Sequence, residues 1–145
     1  MSDSADLSGL DQLRAMLAHG NQPPIGRTLD FALVEVAEGR AVFEGEPDGR
    51  TYNPLGTVHG GYAATLLDSA CGIATHSRLA PGQSYTTLEL KVAYHRAMTA
   101  RTGRVRAEGT VISIGRRVAF AEAKLTDANG RLLASATSTL LVITP

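Results

Sequence analysis

Asn53-Pro54-Leu55-Gly56-Thr57-Val58-His59-Gly60-Gly61 runs directly into Tyr62-Ala63-Ala64-Thr65-Leu66-Leu67-Asp68-Ser69-Ala70-Cys71, and the rest of the chain is organised around this junction. A turn-forming, glycine-rich loop opens into an apolar segment in which, from Gly61 to Thr75, Asp68 is the only formal charge. Leu66, Leu67, Ala70, Cys71, Ile73 and Ala74 surround that acid on a helical wheel with apolar or small side chains. A helix apolar nearly all round is a buried helix, so the segment predicts a buried helix ending near Arg78. An isolated carboxylate in such a helix is costly. Asp68 therefore either has a satisfied structural partner, Ser69 or Thr65 for instance, or sits in a cleft where the cost supports chemistry.

Working outward, Leu7, Leu10, Leu13, Met16 and Leu17 recur at helical spacing. Ser8 is placed to cap that helix and Gly20 to stop it, which predicts an amphipathic helix over about residues 8–19. Asn21-Gln22-Pro23-Pro24 breaks it. Residues 29–37 and 41–46 read as strands joined by a turn at Glu38-Gly39-Arg40. Beyond the break at Ala80-Pro81-Gly82 the chain is strand-like to its end. Thr86, Leu88, Leu90, Val92 and Tyr94 alternate with Thr87, Glu89, Lys91, Ala93 and His95, the period of a half-buried strand. Residues 104–114, 117–126 and 132–143 continue with β-branched and small side chains, with Gly115 and Asp127-Ala128-Asn129-Gly130 as the joins. Two strands, a buried helix and a meander of long strands make an α+β pattern with an antiparallel sheet. The organisation expected is a lead-in with its helix over 1–22 and a single domain over 23–145.

Bulk properties narrow the function. The 145 residues suffice for one domain with a real core. Fourteen basic side chains balance fourteen acidic ones, which argues against general nucleic-acid or membrane-surface binding. No apolar run reaches the ~18 residues of a membrane span. The N-terminal Met1-Ser2-Asp3-Ser4-Ala5-Asp6 is acidic and polar, unlike a secretory leader. Cys71 is the one cysteine, so no internal disulfide forms and a reducing cytoplasm is the expected compartment. His19, His59, His76 and His95 lack zinc-ligand spacing. No Walker or dinucleotide glycine motif is present, which removes support for nucleotide hydrolysis and hydride transfer.

The pattern N-x-x-G-x-x-H-G-G-x-x-x-x-x-x-D, carried by Asn53, Gly56, His59, Gly60, Gly61 and Asp68, resembles the signature of hotdog-fold acyl-CoA thioesterases of the phenylacetic-acid-pathway (PaaI-like) type. The resemblance extends over roughly residues 23–143. It implies a hotdog fold, an antiparallel sheet wrapped around one central helix, and hydrolysis of a thioester to a carboxylic acid and coenzyme A. It implies no metal or redox cofactor, coenzyme A being part of the substrate.

Each site residue has a plain reading beside the one the family implies. Gly60 and Gly61 leave bare backbone N–H groups at the positive end of a helix, where an oxyanion could be held; by spacing alone they fit a tight turn at least as readily. The resemblance makes the Gly60 N–H the group that polarises the carbonyl, with Gly61 beside it as a substrate-binding residue, and makes Asp68 the general base or the nucleophile. Some relatives carry Glu there, and the shorter Asp favours the water route. Asn53 could orient the water or the carbonyl, or serve only the turn before Pro54. His59 counts among the catalytic candidates because it could donate a hydrogen bond, although it is better suited to brace the loop than to act as a base. Thr87 is implied as the holder of the catalytic water, yet strict alternation puts it on the face of Glu89 and Lys91, with Thr86 as the competing choice. Gly72, one turn beyond Asp68, stands where some related enzymes keep a hydroxyl residue. Arg116 and Arg117, after Gly115, suit phosphates, and the coenzyme A nucleotide lies near this turn in similar proteins; His95, Arg96 and Arg101 form a second basic cluster. Solvated surface charge is the plain reading of both.

Gly60 and Asp68 are eight residues apart, about 12 Å along a helix, too far to serve one carbonyl from a single chain. Two antiparallel helices across a twofold axis would pair Gly60 of one chain with Asp68 of the other. The family's side-by-side dimers, which commonly pair into tetramers, agree. Two rival functions remain at this point: a hydratase or dehydratase on the same fold, and a non-catalytic acyl-CoA binding module.

Overall fold

The computed structural model describes residues 6–145, so the polar N-terminal segment lies outside the described residues up to residue 5. Helix α1 (Gly9–Ala18) begins where its cap predicts, the Ser8 Oγ accepting the Asp11 N–H at 3.2 Å. Leu13 is buried, and the Gly9 N–H donates to the Leu79 carbonyl at 2.9 Å. These contacts dock α1 beside the C-terminal end of the central helix.

Next come α2 (Pro24–Leu29), β1 (Phe31–Ala37) and β2 (Arg40–Gly45). The strand expected from residue 29 begins instead at Phe31, because 24–29 is a short helix. Pro24 sits at its start, where a missing N–H costs nothing, so the Pro-Pro pair opens α2, while α1 has already stopped at Ala18 with Gly20 at φ 70° just beyond it. Asp30, at φ 60°, ends it in the left-handed conformation.

After a 3₁₀ turn (Gly49–Thr51) comes α3 (Gly60–His76), followed by β3 (Ser84–Tyr94), β4 (Val105–Ile114), β5 (Val118–Asp127) and β6 (Leu132–Ile143). Among the described residues these strands form one antiparallel sheet in the order β1-β2-β4-β5-β6-β3. Helix α3 packs against all six strands, and the sheet curls around it: a hotdog fold.

The inner face of the sheet explains how the helix seats so closely. Ala107, Gly109, Ala119, Ala121, Ala123, Ala134 and Ala136 line it and are buried. At Gly109 a methyl group would collide with the Ala70 carbonyl, so β4 touches the helix backbone there and only glycine fits. Leu66 and Leu67 are fully buried against this surface, each contributing ~1.5–3 kcal/mol.

One irregularity in β3 matters for function. It pairs with β6 as Thr87↔Leu140 and then Glu89↔Thr139, which leaves Leu88 without a partner. Strict alternation therefore fails. This bulge leaves Leu88 56 % exposed, with Tyr85 and Thr87 facing the helix before it and Leu90 and Val92 after it. The expectation that Thr87 turns away from the apolar face is corrected by this single inserted residue.

Candidate active site

The loop before α3 is tied down from both sides. The Asn53 N–H donates to the Thr57 carbonyl at 2.8 Å, the Val58 N–H to the Met98 carbonyl at 2.8 Å, and the His59 N–H to the Thr51 carbonyl at 2.7 Å. The Asn53 side chain works inside this loop. Its Nδ2 donates to Thr57 Oγ1 at 2.9 Å, and its Oδ1 accepts the N–H groups of Leu55 and Thr57 at 2.9 and 3.3 Å. Gly56, at φ 86°, completes the turn.

His59 is the N-cap of α3, its Nδ1 accepting the Gly61 N–H at 2.8 Å. A ring nitrogen that accepts carries no proton, so the cap is made by a neutral imidazole. The cap consumes the Gly61 N–H. The Gly60 N–H finds no acceptor among the described residues and lies at the positive end of the helix dipole. A cavity of about 350 Å³ borders it, lined by Val58, Gly60, Ala63, Tyr94 and Met98 among others. The Tyr94 hydroxyl donates to the Gly60 carbonyl at 2.7 Å, and a Cβ at residue 60 would come within 3.0 Å of the Tyr94 ring. Close approach of Tyr94 is thus one physical reason for glycine here.

Asp68 lies half-buried two turns further on. Its partner is neither Ser69 nor Thr65, whose hydroxyl donates to the Gly61 carbonyl at 2.8 Å. It is Thr87, reaching across from β3 to donate from Oγ1 to Asp68 Oδ1 at 3.0 Å. Thr86 points to solvent. Of the two threonines, Thr87 is the one that reaches Asp68. Thr87→Val removes the donor and keeps the branched shape. We expect kcat to fall by about 10-fold at unchanged KM, and steady-state kinetics on one thioester checks it.

Nearby groups respond to burial and to this acid. Burial, and secondly the Asp68 charge, push the Cys71 thiol up to about 12, so it stays protonated and is a poor nucleophile. The same two causes push the Tyr85 phenol up to about 12. Among the described residues no three His, Cys, Asp or Glu side chains gather as a cation site.

Arg116 and Arg117 are exposed in the β4–β5 turn, held by the Gly115 N–H to the Val118 carbonyl at 2.8 Å and the Val142 N–H to the Arg117 carbonyl at 2.7 Å. That end of β4 adjoins the C-terminal end of α3, since the Val111 N–H donates to Gly39 and the Gly39 N–H to the Ser77 Oγ. Gly60 is at the other end of a helix of seventeen residues, about 25 Å away. One chain therefore brings Asp68 and Thr87 together but keeps its own Gly60 and its own Arg116–Arg117 apart. The second basic cluster behaves differently. Arg96 and Arg101, joined by Arg131, surround a hollow of about 470 Å³ that meets the Gly60 cavity at Arg96 and Ala97. Arg131 was not legible as a member, because only the sheet pairing brings it there. A larger groove, about 670 Å³, lies on the outer face of the sheet and includes none of the motif residues.

Comparison with known proteins fixes the class. Residues 55–134 match the Thioesterase superfamily. The chain belongs to that superfamily of thioester-hydrolysing enzymes, and the matched region holds Gly60, Asp68 and Thr87, with Asn53 just outside it. A 1,4-dihydroxy-2-naphthoyl-CoA hydrolase of Listeria monocytogenes is 30% identical over 115 residues, covering 79% of this chain and 92% of the relative. Among solved structures, a thioesterase family protein from Silicibacter pomeroyi is 26% identical with a TM-score of 0.81, covering 94% of this chain and 99% of that one. A mutant of the phenylacetic acid degradation protein PaaI from Thermus thermophilus is 30% identical with a TM-score of 0.74, covering 82% and 98%.

Proposed function

We propose that this protein hydrolyses acyl-CoA thioesters, with Asp68 as general base and the Gly60 N–H as the oxyanion donor. The observation that carries the reading is the Asp68 carboxylate, half-buried in an apolar helix and held on one oxygen by Thr87. Its second oxygen is left to take a proton from water. The water oxygen attacks the thioester carbonyl carbon while its proton passes to Asp68. Negative charge develops on the carbonyl oxygen at the Gly60 N–H. Collapse breaks the carbon–sulfur bond, the thiolate leaves, and the proton on Asp68 returns to sulfur. The products are a carboxylic acid and coenzyme A, and water is the only co-reactant. A lone buried thiol at Cys71 fits the cytoplasmic setting that this substrate implies.

The site is shared between two chains in this reading. The separation of Gly60 from Asp68 along α3 supports it, and so does the free edge of the sheet. β3 is an end strand of eleven residues, with Leu88 and Tyr94 each 56 % exposed, and a long unpaired edge of this kind is a template for strand pairing. Two chains joined there would set their α3 helices side by side and antiparallel. Gly60 of one would then face Asp68 of the other, with the second chain's Arg116 and Arg117 at the same end for the nucleotide phosphates. Pairing of dimers into tetramers belongs to the same proposal.

Release of free thiol from a panel of acyl-CoAs tests the reaction: a hydratase releases none, and a binding module turns nothing over. The phosphate assignment has its own expected result. Arg116→Ala/Arg117→Ala raises KM for acyl-CoA about 10-fold and spares kcat, as loss of uniform binding does. Short thioesters lacking the nucleotide are unaffected. Equal KM values for wild type and variant would return both arginines to plain surface.

A further inference from the structure

Tyr85 is the inward-facing residue next to Thr87 on β3, and its hydroxyl occupies a place that the helix leaves open for it. A Cβ at Gly72 would stand 2.9 Å from the Tyr85 hydroxyl and 3.1 Å from its ring. Gly72 is buried in α3, so the missing side chain makes room for the phenol. Strand and helix spacings match here. Two residues along a strand advance about 6.6 Å, and four along a helix advance about 6 Å. Thr87 therefore stands opposite Asp68, and Tyr85 stands opposite Gly72, one turn on.

The two hydroxyls differ in one respect. Thr87 has an acceptor in Asp68 Oδ1, whereas the Tyr85 hydroxyl makes no hydrogen bond to any described residue. An unmatched phenol against a packed helix is unfavourable unless something completes it. Among the described residues the buried side-chain oxygen left without a partner is the Tyr62 hydroxyl; the equally unbonded Tyr85 oxygen is not sealed, so a solvent molecule can reach it. Asp68 and Gly72 are one helical turn apart, about 6 Å, and the Asp68 charge is felt at the phenol; two hydrogen bonds of about 2.8 Å in series are of the length needed to link such neighbours through one water.

We propose that Tyr85 is a positioning residue for the hydrolytic reaction, its hydroxyl holding the attacking water against the free oxygen of Asp68. The proposal rests on the thioesterase reading given above. Tyr85 donates to the water oxygen, which leaves both water protons free and directs one at Asp68. Burial and the Asp68 charge keep the phenol protonated up to about 12, so it serves as a donor and never competes as a base. Thr87 fixes the carboxylate, and Tyr85 fixes what the carboxylate deprotonates.

Tyr85→Phe deletes the hydroxyl and keeps the ring against Gly72, so the variant should melt at the wild-type temperature. Measured on an acyl-CoA that wild type hydrolyses, its kcat should fall about 10-fold with KM unchanged. In an Asp68→Asn background the same substitution should cost less than twofold, since a residue acting through the water on Asp68 has nothing left to position. Wild-type kcat in Tyr85→Phe would overturn the proposal, as would a raised KM at unchanged kcat, or an equal loss in both backgrounds. A wild-type protein that releases no thiol from any acyl-CoA would instead overturn the thioesterase reading itself, so the two failures are told apart in one experiment.

Discussion

Asp68→Asn will leave the fold intact and lower kcat by at least ~100-fold, the scale of a lost general base. The amide has the size and shape of the carboxylate and can still accept the Thr87 hydroxyl, so the contact between α3 and β3 persists. The amide cannot take a proton from water. The variant should therefore match wild type in circular dichroism and melting temperature and differ in turnover alone. A folded Asp68→Asn protein with near wild-type kcat would remove Asp68 from the chemistry. Loss of folding would instead make the Asp68–Thr87 pair a structural device.

The second large effect is a recovery. Asn53→Ala removes three side-chain hydrogen bonds that hold the loop carrying Gly60, and Asp68→Asn removes the base; each variant alone should be nearly inactive. Unfolded together and refolded as an equal mixture, they form mixed dimers. If each site takes its Gly60 loop from one chain and its Asp68 from the other, a mixed dimer has one site with both defects and one with neither. Random pairing makes about half of the dimers mixed, so the mixture should regain roughly a quarter of wild-type activity. If a single chain supplies both groups, every site keeps a defect. Silence from a mixture in which mass spectrometry finds mixed dimers would refute the shared site.

Both experiments probe a site whose two halves were unequally visible in the amino-acid order. The Asn53–Gly61 loop and Asp68 are local: residues near each other in sequence stay near each other in space. The role of His59 was legible for that reason, since an N-cap reaches only the first turn of its own helix. Thr87 was named by resemblance and opposed by periodicity. The objection failed because a bulge at Leu88 depends on how β3 registers with β6, a pairing between segments some fifty residues apart. Tyr85 gave no signal at all. Its importance lies in the empty space over Gly72, and space is a property of packing.

Amino-acid order alone is enough to show the buried helix, its one acid, the capped entry to it and the long strands that must cover it. Those features follow from hydrophobic periodicity and from capping and turn chemistry, which act over a few residues. The assembled fold was needed to show that β1 starts after a second short helix, that Thr87 and Tyr85 face Asp68 and Gly72, and that Arg116 and Arg117 lie at the far end of α3 from Gly60. Each of these depends on strand order, on register, or on the depth at which a helix seats on a sheet lined with alanine. Register is set by the whole sheet at once, and a shift of one residue turns every side chain beyond it to the other face.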